Sequence, residues 1–519
     1  MKISDYLPQT SKRARTRSRD PRMMLMLLVW LGMALRVWGL DAQSLWRDEV
    51  DTVRFATQPL PQLLAMFTTP GHNGALYYLV MRPWIAFFGH VDFALRYASV
   101  LAGVLVLPLA YQALRRWIGE RSALLTVLFL TVSPYAIWYS QELRMYAFIL
   151  AIVLAATRCW QDAFERQRSW CWVVYVVLIS GGIYMHFLIA LLLPTHILMS
   201  LLAPHRWLRR WKGWVLAYAA FVLPYIPLAW WQKKLLFSPT FRTGHPFVPW
   251  PQMIYKLLTV FSVGIHNITL PMRTSDNIRI VPLLFLMLSG LALHVPALQR
   301  KVSWRVKVWL LLWFLVPVAG LYLISLELPL FTERYLIWTM PAVYALAALG
   351  VETQRRWPML SFSVLALVLV LFLVGIGYQV HIPVKPDMRN AVQYVESHRT
   401  PESKVLLHLG YLIHAYTYYA SEARPHLLEA PAPGPHGTPE QTGEEILRRL
   451  NGARDVWLVE SESAMWDPKG LVRQWLDQHA TRVEDRAFVG VRVTHYRMFD
   501  VPSLKREGKI RTLPLRRGT

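Results

Sequence analysis

Hydrophobic positions in this chain come in runs about as long as a membrane crossing, repeated from residue 23 to residue 378, with polar residues crowded into the gaps. A crossing helix needs about 20 predominantly apolar residues. Eleven spans are predicted, at about 23–40, 92–114, 122–138, 145–160, 172–187, 188–204, 213–231, 279–298, 308–325, 335–351 and 359–379. Basic clusters fall in alternate connectors: the N-terminal arm 1–22, "RRWIGER", "RQR", "HRWLRRWK", "QRKVSWRVK" and "QRRW". The positive-inside bias makes these cytoplasmic and turns the other connectors outward. Those are the long first loop 41–91, "YSQELRMY", "YMHF", "KKLLFSPTFRTGHPF", "LPLFTERY" and everything after residue 380.

One apolar stretch breaks the rhythm. "ALYYLVMRPWIAFF", Ala75 to Phe88, is short and carries Arg82-Pro83 at its middle. Counted as a span it would invert every later connector, so it is predicted to lie in the outer interface as an amphipathic helix. Beyond residue 380 the pattern changes to short strands and helices. Helices are predicted over "KPDMRNAVQYVESH", "IHAYTYYASEA", "EEILRRLNG" and "LVRQWLDQHA", and strands over "SKVLLHL", "DVWLVES" and "FVGVRVTHYRMF". "APAPGPHGTPEQTGEE" is predicted as a loop. The expectation is an α-helical polytopic membrane protein: a transmembrane domain over 23–380, a small extracytoplasmic α/β domain over 381–502 and a basic tail over 503–519.

Composition agrees. The chain is 54% hydrophobic and 17% charged, against about 25% charged in soluble domains. The formal net charge of +24 reflects connector arginines and lysines, and no nucleic-acid-binding module is present, so nucleic acid is not an expected partner. The N-terminal segment has no small-residue cleavage site after its apolar run and reads as a retained arm and first anchor in the cell (inner) membrane. Cys159 and Cys171 flank a connector placed in the cytoplasm and are expected to be free thiols.

The outward connectors concentrate polar residues that a membrane edge does not require: Trp46, Arg47, Asp48 and Glu49; His72 and Asn73; Glu142, Arg144 and Tyr146; Tyr184 and His186; Glu333, Arg334 and Tyr335. Each lies within a few residues of a span end on one side, so all are candidates for a single interfacial cavity. A carboxylate pair suits proton transfer. Arginine suits phosphate, because its planar fork donates two parallel hydrogen bonds. Asp48 is the first candidate base and Glu49 the second; Arg144, Arg334 and Arg96 are the candidate phosphate ligands. Against this stand ordinary roles: acids at a helix start, arginines snorkelling to headgroups, and structural histidines at His186, His72, His196 and His294. A divalent metal on Asp48 and Glu49 is compatible with the residue types, but no ligand set is evident.

In order, "SLWRDEV", "GHNGALYYLVMRPWIAFFG", "FALRYASVLAGVL", "SPYAIWYSQELRMYAF", "GIYMHF" and "FTERYLIWTMP" resemble the GT-C membrane glycosyltransferases, and most of all glycosyltransferase family 39, with a weaker echo in "KPDMRNAVQYV". The protein O-mannosyltransferases and the aminoarabinose lipid A transferase are related to that family. The resemblance covers about residues 20–350. It implies a polyprenyl-phosphate-sugar donor, an outward-facing site and an acceptor hydroxyl on protein, lipid or glycan. On that footing Asp48 is the base with Glu49 beside it. Arg144, Arg334, Arg96 and His186 meet the donor phosphate. Trp46, Arg47, His72, Asn73, Glu142, Tyr146, Tyr184 and Tyr335 meet substrate. Two positions depart from the family: Asn73-Gly74 stands where a proline pair is common, and Arg47 where an uncharged residue is common. The readings from other classes are a transporter, which would favour repeats and polar groups at the bilayer midplane, and a non-catalytic lipid-head binding protein, which would need the cations and not the acids.

Overall fold

The structure is a computed structural model of the chain, and it describes residues 20–69, 73–203, 211–213, 215–220, 230, 245–265, 276–292, 302–354, 357–408, 410–420 and 426–499. Helix α1 (Pro21–Val37) opens with Pro21 in its first turn and Asp20 capping the N–H of Arg22. The first loop folds into α2 (Arg47–Thr57), α3 (Leu60–Ala65) and α4 (Ala75–Phe88). Then follow α5 (Asp92–Val132), α6 (Pro134–Ser140), α7 (Tyr146–Arg166), α8 (Trp170–Met185), a 3₁₀ turn at Phe187–Leu191 and α9 (Leu192–Leu201). The remaining apolar helices are α10 (Trp250–Val263), α11 (Asp276–Leu291), α12 (Trp304–Glu327), a 3₁₀ segment at Glu333–Thr339 leading into α13 (Met340–Thr353), and α14 (Pro358–His381).

Five helical stretches among the described residues are long and apolar enough to cross a membrane: Asp92–Val132, Tyr146–Arg166, Trp304–Glu327, Glu333–Thr353 and Pro358–His381. The first holds two of the predicted spans, divided at Gly119, whose φ of 81° breaks the helix inside "RRWIGER". The second of those spans stops at Val132, short of the predicted residue 138. Ser133 turns the chain, caps the N–H of Ala136 and starts α6 with Pro134. Helix α4 has 14 residues, too few to cross. Part of the predicted 213–231 span and the end of 279–298 lie outside the described residues, as do His72 and His294. Cys159 and Cys171 are free. His196 is a helix-to-helix connector: its ring lies 2.8 Å from the Tyr175 hydroxyl and stacks on Trp160.

Charge is buried where it ties helix ends together. Arg36 of α1 is 1% exposed and donates to the carbonyls of Gly32, Leu130 and Thr131 and to Ser140 Oγ. It thereby satisfies the last carbonyls of α5 at the turn into α6. At the far end of α7, Asp162 pairs with Arg116 and Arg158 and has Arg166 and Arg168 within 3.8 Å.

After α14 come α15 (Met388–His398), β1 (Lys404–His408), α16 (Leu412–Tyr419), β2 (Leu427–Glu429), α17 (Pro439–Leu450), β3 (Asp455–Glu460), α18 (Leu471–His479), β4 (Ala480–Phe488) and β5 (Val491–Met498). The sheet order is β2-β1-β3-β5-β4, with β2, β1 and β3 parallel and β5 antiparallel to both β3 and β4. Strands β2 and β4 were not predicted. The first is three residues long, and the second, "ATRVEDRAF", is a charged edge strand with almost every residue exposed, so neither carries a hydrophobic alternation. Helix α17 begins inside the stretch predicted as loop, because Thr438 caps the N–H of Gln441 and Pro439 sits at its first position.

Helices α11 and α13 approach at backbone distance. A Cβ on Gly350 would lie 2.0 Å from the Leu286 carbonyl oxygen, and one on Gly290 2.0 Å from that of Leu346. Close crossings at small residues are how helices gain packing energy in a bilayer. Gly350→Ala is expected to cost about 1–3 kcal/mol through forced separation, read as a lower melting temperature of the detergent-solubilised protein. Gly377→Ala, where a Cβ meets nothing within 4 Å, should melt like the wild type.

Candidate active site

The site is built on α2. Asp48 and Glu49 occupy its first turn, where acids are stabilised by the helix dipole. The Trp46 N–H donates to Glu49 Oε2, closing the helix start. Consecutive helical side chains point about 100° apart, so one acid turns inward and the other out.

Glu49 turns inward and is completely buried. Arg96 of α5 grips it with two hydrogen bonds, Nε at 2.8 Å and Nη2 at 2.7 Å. Lys385 Nζ lies 2.9 Å from Oε2, and the Leu143 N–H donates to Oε1 at 2.8 Å. Burial opposes ionisation, but the two cations outweigh it and hold the carboxyl at about 2. Arg96 spends its other N–H groups on the carbonyls of Leu40, Gln43 and Ser44. All five of its donors are therefore used. This corrects two expectations. Glu49 has no free lone pair facing an acceptor or a metal ion, and Arg96 has no N–H left for a phosphate. Both are anchors.

Asp48 turns outward. Its side chain is 15% exposed, with Oδ1 3.5 Å from Arg47 Nε and Oδ2 3.5 Å from Arg334 Nη2. Arg334 lies over the rings of Trp46, Tyr146 and Tyr335 at 5.4–5.9 Å. Trp46 donates its indole N–H to Glu142 Oε1 at 2.8 Å. Arg144 Nη1 donates to the Asp48 carbonyl at 3.2 Å. The His186 ring is 4.8 Å from Tyr335 and 6.4 Å from Tyr146. Residues from four sequence-distant connectors thus surround one carboxylate. Asn73 stands at the edge of the group: Gly74, with φ 93°, brings that segment against Met145. Tyr184 is turned aside, its ring packed on Phe67 at 5.4 Å.

Several buried polar atoms on these residues and the adjoining Thr332 lack a hydrogen-bond partner: Glu142 Oε2, Arg144 Nε, Arg334 Nε, Thr332 Oγ1 and both ring nitrogens of His186. Burying an unsatisfied polar group costs about 1–3 kcal/mol, so a cluster of them marks a place built for a polar ligand. The donors outnumber the acceptors, which suits an anion. Burial raises the Glu142 carboxyl above its ordinary range, with Lys385 opposing and Glu49 adding to the rise. Among the described residues no group of three or more His, Cys, Asp or Glu side chains is placed to hold a metal ion.

The residue that sequence reasoning missed is Lys385. Its signal was present in "KPDMRN", read as the start of a helix and as a weaker echo of the family pattern, with no role given to the lysine. The segment folds across the first loop: Gln43 Oε1 accepts from the N–H groups of Val384 and Lys385, and Ser44 Oγ donates to the Pro386 carbonyl.

Residues 73–231 match the family model of the dolichyl-phosphate-mannose-protein mannosyltransferases. Among solved structures the chain is similar to ArnT from Cupriavidus metallidurans in its apo state. The identity is 14%, the TM-score 0.57, and the match covers 91% of this chain and 98% of that one. ArnT bound to undecaprenyl phosphate matches at 13% identity and a TM-score of 0.55, over 91% of this chain and 97% of that one. The Archaeoglobus fulgidus oligosaccharyltransferase matches at 14% identity and a TM-score of 0.55, over 92% of this chain and 73% of that one. No curated protein matches this chain in sequence. The fold is that of the GT-C glycosyltransferases: a helical membrane bundle carrying a small C-terminal sheet domain.

Removing one partner of a buried charge pair costs about 3–5 kcal/mol, so Lys385→Met should lower the melting temperature strongly. The acid limb should move as well. Glu49 in the native protein sits at about 2 against an ordinary 4.5, so its contribution is complete above 4.5 and is lost as pH falls toward 2. With one cation gone the depression shrinks, and the loss should finish at a higher pH. Melts between pH 2.5 and 7 test this; identical acid limbs would show that Lys385 does not act on Glu49.

Proposed function

We propose that this chain is a membrane glycosyltransferase that moves a sugar from a polyprenyl-phosphate donor to an acceptor hydroxyl at the extracytoplasmic face, with Asp48 as general base. The observation that carries the reading is one outward carboxylate, Asp48, with Arg334 facing its Oδ2 and Arg144 on its main-chain carbonyl, two guanidiniums whose buried Nε atoms have no partner. The undecaprenyl phosphate bound to the similarly folded ArnT supports the choice of donor class.

The reaction is a displacement at the anomeric carbon. The acceptor oxygen forms a bond to that carbon, its proton passes to Asp48, and the phosphate departs with the electron pair of the broken C–O bond. Charge grows on the phosphate as the bond lengthens, and cations fixed in an enclosed site stabilise that growth more than mobile ones in water would. Arg144 and Arg334 are the cations we assign to it, with His186 as a further donor. The rings of Trp46, Tyr146 and Tyr335 wall the space around Arg334, and Glu142 Oε2 remains to accept from a sugar hydroxyl. Arg47 and Asn73 belong to the rim; His72 lies outside the described residues.

Asp48→Asn keeps the size and removes the basicity, so transfer should fall about 10²–10⁴-fold while donor affinity survives. Arg334→Ala and Arg144→Ala should each lower turnover about 10²–10³-fold, and lysine should restore only part, since it keeps the charge and loses the fork. Purified protein in lipid, a labelled donor and parallel titrations of affinity and turnover make the comparison. Normal turnover in Asp48→Asn overturns the base assignment, and wild type that binds no polyprenyl-phosphate sugar overturns the function.

A further inference from the structure

Asp48 has two sides. Oδ2 faces Arg334 and the aromatic wall, while Oδ1 faces Arg47, whose side chain is 44% exposed. Arg47 in turn belongs to the sheet side. Its guanidinium lies 4.8 Å over the Tyr411 ring, and the Tyr411 hydroxyl donates to Glu462 Oε2 at 2.7 Å. Tyr411 follows β1, and Glu462 follows β3. The three parallel strands β2, β1 and β3 end in Glu429, His408 and Glu460, and a Cβ on Gly410 would lie 2.8 Å from the Glu429 carboxyl. His414 on the following helix feels the charges of Arg54, Asp51 and Glu429. The carboxyl ends of these strands therefore stand over α2, beside the outward oxygen of the proposed base. Open α/β sheets bind ligands outside the carboxyl ends of their strands.

We propose that this junction, formed by Arg47, Tyr411, His414, Glu429 and Glu462, is the acceptor subsite and that it takes a carbohydrate acceptor. The inference rests on the glycosyltransferase reading for its reaction, and on the geometry alone for its binding. Glu429 and Glu462 accept from hydroxyls, Arg47 donates to them, and Tyr411 supplies both a ring and a hydroxyl; this mixture reads a polyol. The strands meet α2 by their ends, so no ladder edge is offered there to a peptide backbone. The donor enters on the Arg334 side, the acceptor on the Arg47 side. The acceptor oxygen attacks the anomeric carbon, its proton goes to Asp48 Oδ1, and the phosphate leaves with the bonding pair.

The test separates binding from reaction. An array of neutral and anionic oligosaccharides is titrated against the full-length protein in lipid nanodiscs without donor, and the best binder is then used as acceptor with labelled donor. Glu462→Gln and Tyr411→Phe are each expected to weaken oligosaccharide binding and raise its KM about tenfold, equivalent to about 1.4 kcal/mol. Donor affinity should stay within twofold of wild type. Arg47→Ala should weaken binding likewise, and Arg47→Lys should recover only part of it, because lysine keeps the charge and loses the fork. Wild type that binds no oligosaccharide, variants with unchanged binding, or transfer to a Ser/Thr peptide in preference to every oligosaccharide each overturns the subsite. Oligosaccharide binding that is lost in the variants, in a protein that uses no donor, would sink the proposed reaction and leave the subsite standing.

Discussion

The structure turns on one buried carboxylate. Glu49 joins four segments far apart in sequence: its own helix α2, Arg96 of the long α5, the Leu143 N–H in the connector after α6, and Lys385 at the approach to the sheet domain. An ion buried without partners costs several kcal/mol, and one fully surrounded by charged donors recovers much of that cost. The arrangement is therefore steep: complete it holds, and with any member missing it leaves a bare charge in a dry interior. Adjacent side chains on one helix turn project in different directions, so fixing Glu49 fixes Asp48. The inward acid aims the outward one.

The same contact fastens the sheet to the membrane helices. Lys385 arrives with Val384 and Pro386, which pair with Gln43 and Ser44. A second ring of polar contacts closes behind it. Asp92 receives Arg389, Tyr418 and Tyr419, and the Tyr419 hydroxyl also accepts the N–H of Leu45. Because Leu45 directly precedes Trp46, the docked helix α16 reaches the same turn that carries the site. Two independent sets of hydrogen bonds, one through Lys385 and one through Asp92, hold the strand ends against α2. A sheet attached only by a flexible linker could not keep Tyr411 within cation–π distance of Arg47.

The sequence made the bundle legible because its signal is one-dimensional: run length and flanking charge report a span without any knowledge of neighbours. The break at Gly119 and the stop at Ser133-Pro134 were less visible, since each is a matter of single backbone angles inside a continuous apolar stretch. In the sheet domain, strands with a buried face were found and the charged edge strand β4 was not. At the site the residue types were legible and their division of labour was not. "RDE" presents two neighbouring acids that differ only in what they meet, and those partners lie about 50 and 340 positions away at Arg96 and Lys385. Arg96, Arg144 and Arg334 are likewise similar in sequence context. Counting satisfied donors separates them: Arg96 has none free, whereas Arg144 and Arg334 each keep a buried Nε.

That unevenness in satisfaction is itself informative. Two other buried charges among the described residues are fully paired. Arg36 meets three carbonyls and a hydroxyl, and Asp162 gathers four guanidiniums. Next to Asp48 the same chain leaves Glu142 Oε2, two guanidinium Nε atoms and both His186 nitrogens without partners. A folding sequence gains nothing from such vacancies, since each costs about 1–3 kcal/mol. They persist where the missing partner comes from outside the chain. Most of the vacant atoms are donors, they sit behind aromatic rings that exclude water, and they adjoin a carboxylate that remains open on its other side. An anionic group entering from one side and a hydroxyl from the other would satisfy the cluster, and Asp48, which faces both, is placed to receive the hydroxyl's proton.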